Sequence, residues 1–218
     1  MKGEIRSSLI SSRTILGLYA ITPEETDTVE LLRKSRLALQ GGARVLQYRN
    51  KAANPALKLY QAQALRALTL EFGATFIVND DAQLAEQVDA DGVHLGGADG
   101  SVAKARTLLG KQRLIGVSCY NRASLAQEAV QQGADYVAFG AFFASSVKPG
   151  AVKAEVAMLQ TARQELGVPI VAIGGITLAN CPVLIEAGAD ALAVISALFD
   201  APNIEAAARE FSTLFSRA

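Results

Sequence analysis

Gly133-Ala134-Asp135-Tyr136-Val137-Ala138-Phe139 and Gly188-Ala189-Asp190-Ala191-Leu192-Ala193-Val194-Ile195 repeat one design. Each starts with a glycine that can adopt the left-handed conformation ending a helix, then enters an apolar run suited to a strand. Shorter copies, Gly41-Gly42-Ala43 and Gly73-Ala74, stand in the same position before other strand-like runs. Working outward from these junctions, β-rich segments fall near Leu16 to Ile21, Arg44 to Tyr48, Thr75 to Val78, Gly92 to Leu95, Leu114 to Ser118, Tyr136 to Phe139, Ile170 to Ile173 and Ala191 to Ile195. Between them lie stretches such as Asn54 to Phe72 and Ser124 to Gln132, rich in Ala, Leu, Gln and Glu, which favour helix. Nearly continuous apolar strands in strict alternation with helices mean a parallel sheet buried on both faces. The expected fold is therefore α/β, a single-domain (β/α)8 TIM barrel spanning residues 15–218, with its active site at the carboxyl ends of the strands. An open doubly wound sheet is the competing architecture, but no Gly-rich dinucleotide fingerprint follows the first strand.

Composition narrows the function. The 218 residues are 50% hydrophobic and 19% charged, with no Trp, the profile of a globular chain with a substantial core. With 21 basic and 21 acidic residues the formal charge is zero, which removes the global electrostatic case for nucleic acid or an anionic membrane surface. Cys119 and Cys181 lack metal-cluster or disulfide spacing, so a reduced, cytoplasmic setting is expected. Residues 1–14 read as a polar N-terminal arm, and the apolar run Ile15 to Ile21 is too short to span a bilayer.

The strand ends carry the chemistry. The second strand runs into Gln47-Tyr48-Arg49-Asn50-Lys51, where alternation points Gln47, Arg49 and Lys51 the same way, toward one anion or, equally, into a solvated loop. The third and fourth deliver Val78-Asn79-Asp80-Asp81 and Asp91-Gly92-Val93-His94-Leu95-Gly96-Gly97-Ala98-Asp99. Asp80 and Asp99 would emerge side by side, and two carboxylates with little else suit Mg2+ bound together with a phosphorylated substrate. Asp81 reads as a helix cap, Asp91 as a turn residue, and His94 as a packed or hydrogen-bonded imidazole.

Ser118 ends the fifth strand with no histidine expected near enough to activate it, which favours binding over nucleophilic attack. Cys119, with no evident cationic neighbour, reads as structural. The loop from Phe139 to Gly150 is long, small-residue-rich and ends near Lys148, a form suited to a closing cover with a further cation. Gly174-Gly175-Ile176 and Val194-Ile195-Ser196 follow the seventh and eighth strands, the usual phosphate site of this fold.

Together these segments resemble the thiamine phosphate synthase family, over nearly the whole chain from Leu18-Tyr19-Ala20-Ile21-Thr22 to Ile195-Ser196. The resemblance implies an Mg2+-dependent transferase that joins hydroxymethylpyrimidine, from its diphosphate, to thiazole phosphate. It implies that Gln47, Tyr48, Arg49, Asn50, Lys51, Asn79, Ser118 and Lys148 hold the pyrimidine diphosphate, with Arg49, Lys51, Ser118 and Lys148 nearest the chemistry. Asp80 and Asp99 would bind the metal, and Ser145, Ser146, Val147, Gly175, Ile195 and Ser196 the thiazole phosphate. Small-molecule substrates are the expected partners, with no nucleic acid, no membrane and room for a homo-oligomer. The chain departs from the family pattern at Ala141, at Gly97 and at Val147, where a hydroxyl is missing, a loss of about 1 kcal/mol if it touches substrate. A thiazole tautomerase-like enzyme and a non-catalytic barrel binding the same phosphates are the alternatives.

Overall fold

The computed structural model describes residues 15–96, 100–144 and 152–215. Eight parallel strands, β1 (Gly17–Ile21), β2 (Val45–Tyr48), β3 (Thr75–Asn79), β4 (Gly92–Leu95), β5 (Leu114–Tyr120), β6 (Tyr136–Phe139), β7 (Ile170–Ile173) and β8 (Ala191–Val194), close in sequence order into a barrel. The first and last strands pair directly, Gly17 with Ala191 and Ala20 with Val194. The expected strands therefore all exist, and β5 runs on to Tyr120 across a register shift after Ser118.

The outer helices are α1 (Thr28–Gln40), α2 (Pro55–Phe72), α3 (Ala82–Gln87), α4 (Val102–Leu109), α5 (Ala123–Gln131), α6 (Ala157–Glu165), α7 (Pro182–Glu186), α8 (Ser196–Phe199) and α9 (Ile204–Phe215). Helix α2 shows how the sequence sets them. Asn54 caps its start by accepting from Leu57 N–H, Pro55 occupies the first turn, and Gly73 ends it at φ 61°. Its buried residues Gln61, Leu65, Leu68 and Thr69 follow the spacing of one helical face. One apolar cluster fills the space between barrel and helices; a second, with Tyr19, Val45, Ile77, Tyr136 and Val171, fills the barrel interior.

At the amino ends of the strands one device recurs. Asp91, Asp135 and Asp190, each just before an even strand, accept from the backbone N–H of Phe76, Ile115 and Ile170 on the preceding odd strand, at 2.9, 2.7 and 2.8 Å. Their own N–H groups return to the carbonyls of the same three residues. Each carboxylate also pairs with an arginine from the helix before that odd strand: Arg66 of α2, Arg106 of α4 and Arg163 of α6. Asp91 thus does more than shape a turn, because it ties β3, β4 and α2 together. Before β2 the same place holds Arg44, so this pair of strands lacks the carboxylate tie.

Candidate active site at the barrel mouth

A cavity of about 570 Å3 opens at the carboxyl ends of the strands and is lined by Tyr19, Gln47, Arg49, Lys51, Asn79, Asp80, His94, Ser118, Gly174, Gly175, Ile195 and Ser196, among others. The β2 exit is fixed by Thr22, which sequence reading left without a role. Its buried hydroxyl accepts from the Arg49 N–H at 2.9 Å and donates to the Arg49 carbonyl at 3.3 Å. Arg49 and Lys51 therefore leave the barrel in a set direction. In this state Arg49 pairs with Glu24 at 3.2 Å and Lys51 with Asp80 at 3.0 Å. Both pairs are partly exposed, so each contributes about 0–1 kcal/mol and exchanges readily for a ligand phosphate.

Asp80 adopts φ 64°, a left-handed conformation uncommon for a residue with a side chain. Its N–H donates to the His94 carbonyl at 2.8 Å, which locks the turn against β4. The turn divides the two acids: Asp80 lines the mouth, while Asp81 accepts from Leu84 N–H and caps α3, as expected.

Beneath the rim, neutral polar groups form a continuous path. Gln47 donates to Asn79 at 2.6 Å and accepts from the Tyr19 hydroxyl at 2.7 Å. Tyr19 meets the Tyr136 hydroxyl at 2.9 Å, Tyr136 meets His94 Nδ1 at 3.1 Å, and His94 Nε2 lies 2.9 Å from Ser118 Oγ. This corrects the expectation that no histidine reaches Ser118. Burial holds His94 down to about 4, the Asp80 carboxylate opposing only in part, so the imidazole is neutral and too weak a base to activate a hydroxyl. Burial also raises the Tyr19 and Tyr136 hydroxyls, Tyr136 beyond the reach of physiological ionisation. Ser118 therefore remains a binding group. Gly116 permits the arrangement, because a Cβ there would stand 2.0 Å from Tyr136 Cζ.

On the opposite rim, Gly174 and Gly175 turn at φ 101° and 62°. A side chain on Gly175 would meet the Ala144 carbonyl at 2.2 Å, so only glycine lets this turn lie against the base of the loop after β6. Asn180 holds the turn by donating to the Gly175 carbonyl and accepting from Thr177 N–H. Ile195 and Ser196, at the start of α8, complete this side.

The structure does not bring Tyr48 and Asn50 to the mouth. Tyr48 donates to Gln61 of α2, and Asn50 donates to the Glu25 carbonyl and to Gln61. Both face an adjoining cleft of about 440 Å3 that also touches Lys51 and Asp80. Cys119 does have a cation nearby, Arg122, yet burial dominates and pushes its thiol up to about 12, so its structural role stands. Asp99, Ser145, Ser146, Val147 and Lys148, together with the polar arm 1–14, lie outside the described residues.

Paired cations and a carboxylate on one rim, glycine backbone on the other and a neutral polar floor define a (β/α)8 enzyme that handles phosphorylated small molecules. The chain belongs to the thiamine monophosphate synthase family, whose model matches residues 18–198. It is 56% identical over 202 residues to the thiamine-phosphate synthase of Methylobacillus flagellatus, covering 93% of this chain and 96% of that one. It is 50% identical over 200 residues to the thiamine-phosphate synthase of Thiobacillus denitrificans, covering 92% and 95%. Among solved structures, the thiamine phosphate pyrophosphorylase from Pyrococcus furiosus superposes with a TM-score of 0.85 at 34% identity, covering 94% of this chain and 98% of that one. No described helix is long and apolar enough to cross a membrane.

Proposed function

We propose that the chain transfers the aminopyrimidine methylene group of hydroxymethylpyrimidine diphosphate to the ring nitrogen of thiazole phosphate, releasing diphosphate and forming thiamine phosphate. The observation that carries this reading is the joining of two unlike anion-binding rims around one cavity: Arg49, Lys51 and Asp80 face Gly174, Gly175 and Ser196. One rim suits the diphosphate and the other the monophosphate.

The bond to be broken is the C–O bond between the pyrimidine methylene and diphosphate, whose electron pair leaves with the oxygen. The thiazole nitrogen then donates its lone pair to the methylene carbon. No proton changes hands, and a floor of neutral hydroxyl, amide and imidazole groups agrees with a reaction that needs alignment and leaving-group stabilisation rather than a base. Arg49 and Lys51 release Glu24 and Asp80 and turn to the departing diphosphate, joined by Lys148. Gln47, Asn79 and Ser118 orient the pyrimidine; Gly175, Ile195, Ser196 and Ser145 to Val147 take the thiazole phosphate.

The donor set suits magnesium: Asp80 offers a hard oxygen at the mouth, and freeing it from Lys51 disrupts only a partly exposed pair. Asp80 and Asp99 would hold the ion together with phosphate oxygens. When bound it neutralises charge on the leaving diphosphate. We place the protein in the cytoplasm, with residues 15–218 as the catalytic barrel and 1–14 as an appended arm.

Incubation with both phosphorylated halves and magnesium should yield thiamine phosphate and diphosphate in equal amounts. Asp80→Ala should lose at least ~100-fold in kcat, as removal of a transition-state charge contact does, with an unchanged circular dichroism spectrum. Full activity in that variant would sink the metal assignment.

A further inference from the structure

The path under the mouth can be counted proton by proton. Gln47 gives an amide proton to Asn79 Oδ1 and takes the Tyr19 hydroxyl proton on Oε1. Tyr19 has no second proton, so the 2.9 Å contact with Tyr136 must be donated by Tyr136. With that proton used, the 3.1 Å contact between Tyr136 and His94 requires the proton on Nδ1 of the imidazole. A neutral imidazole then has only a lone pair at Nε2, and Ser118 must donate its hydroxyl proton across 2.9 Å. Tyr19, Tyr136, Gln47 and His94 are all buried, so a link of the wrong polarity would strand a donor or acceptor away from water.

Reversing one link therefore requires reversing every link up to the Gln47 amide. The two ends always present opposite polarity. In the order the structure holds, Ser118 offers lone pairs to the cavity and Asn79 offers amide protons.

We propose that Tyr19, Tyr136 and His94 are positioning residues that fix this order, making the floor a polarity filter for a ring with an exocyclic N–H donor toward Ser118 and a ring-nitrogen acceptor toward Asn79. The proposal rests on the reading of the mouth as an aminopyrimidine site. It adds the reason an amino group is selected there over an acceptor of similar size. None of the three residues needs to transfer a proton for this.

The chain contains one histidine, so protein labelled with 15N-histidine reports His94 alone. At neutral pH the wild type should show the neutral Nδ1–H tautomer; the Nε2–H tautomer or an imidazolium would overturn the order. In Tyr19→Phe, Tyr136 loses its acceptor and turns to donate to Nδ1, so the tautomer should switch to Nε2–H. An unchanged tautomer overturns the coupling, and should Tyr19→Phe fail to fold, the wild-type spectrum decides.

In a second arm, Kd without thiazole phosphate is compared for the aminopyrimidine diphosphate and its methoxy analogue, which presents two acceptors. Wild type should prefer the amino form by about 10- to 100-fold. In Tyr19→Phe that preference should fall to roughly threefold or reverse, because Ser118 now turns its O–H outward. A retained preference overturns the filter. The spectra need no substrate, so a wild type that forms no thiamine phosphate would refute the proposed reaction and leave the tautomer result to judge the path.

Discussion

Asp91→Ala should cost far more stability than Asp190→Ala, although each carboxylate ties a strand N–H to an arginine. Asp91 accepts from Phe76 N–H at 2.9 Å and from two nitrogens of Arg66 at 2.9 and 3.3 Å. Its side chain is 8% exposed and that of Arg66 12%. Truncation leaves a buried guanidinium without its counter-charge and a buried N–H without an acceptor. Removing one partner of a buried pair costs about 3–5 kcal/mol. At about 2–4 °C per kcal/mol for a chain of this length, Tm should fall by roughly 6–20 °C. Arg163, the partner of Asp190, is 58% exposed and rehydrates when freed, so Asp190→Ala should lose only the backbone contact, about 1–2 kcal/mol. Thermal melts followed by circular dichroism and urea titrations read both variants. Adding Arg66→Met to Asp91→Ala should restore part of the loss by removing the stranded charge. A fall below about 2 °C for Asp91→Ala, or a larger fall for Asp190→Ala, would refute the argument from burial.

His94 predicts a pH dependence. Its folded value near 4 lies below the ordinary imidazole value of 6.5, so the unfolded chain takes up a proton that the folded one refuses. The contribution is complete above pH 6.5 and declines as pH falls from 6.5 to 4, by about 3 kcal/mol in all; urea midpoints of His94→Gln against wild type should converge over that window, and parallel curves would contradict it. Gly116→Ala drives a Cβ into the Tyr136 ring at 2.0 Å and should cost about 1–3 kcal/mol with at least tenfold lower kcat/KM, read by melts and turnover. Burial raises both thiols, so a thiol reagent at pH 7 should label neither Cys119 nor Cys181 in the native protein and both in urea. Rapid native labelling would show that one of these sites opens.

The barrel was legible because period and punctuation agree. Short apolar strands in regular alternation with helices, four of the eight preceded by a Gly-Ala junction, leave few alternatives, and observed strand ends depart from the expected ones mostly by one residue. The rim was legible for the same geometric reason: residues just past a strand in a closed barrel converge, which placed Gln47, Arg49, Lys51, Asn79, Asp80, Ser118, Gly175, Ile195 and Ser196 together. Tyr48 and Asn50 stand apart from this group, since alternation sends them to the face opposite Gln47 and Arg49, where they line the adjoining cleft.

The floor was hidden. Tyr19 and Tyr136 are 117 positions apart, and nothing local in either strand tells an inward hydroxyl from an outward one. A histidine within Gly92-Val93-His94-Leu95 looks like packing until the neighbouring strands are in register. Thr22, Glu24 and Asn180 escaped notice because each works by holding a backbone turn or a counter-charge, and no motif announces either.

The acid–arginine ties under β3 to β8 sit at the end of the barrel remote from the cavity, and that separation bears on how the sequence can change over time. Residues that keep the strands in register are not those that meet substrate. Rim loops can therefore accumulate substitutions without drawing on the interactions that hold the cylinder closed. A lineage built this way can explore new ligands at one end while the other preserves the scaffold.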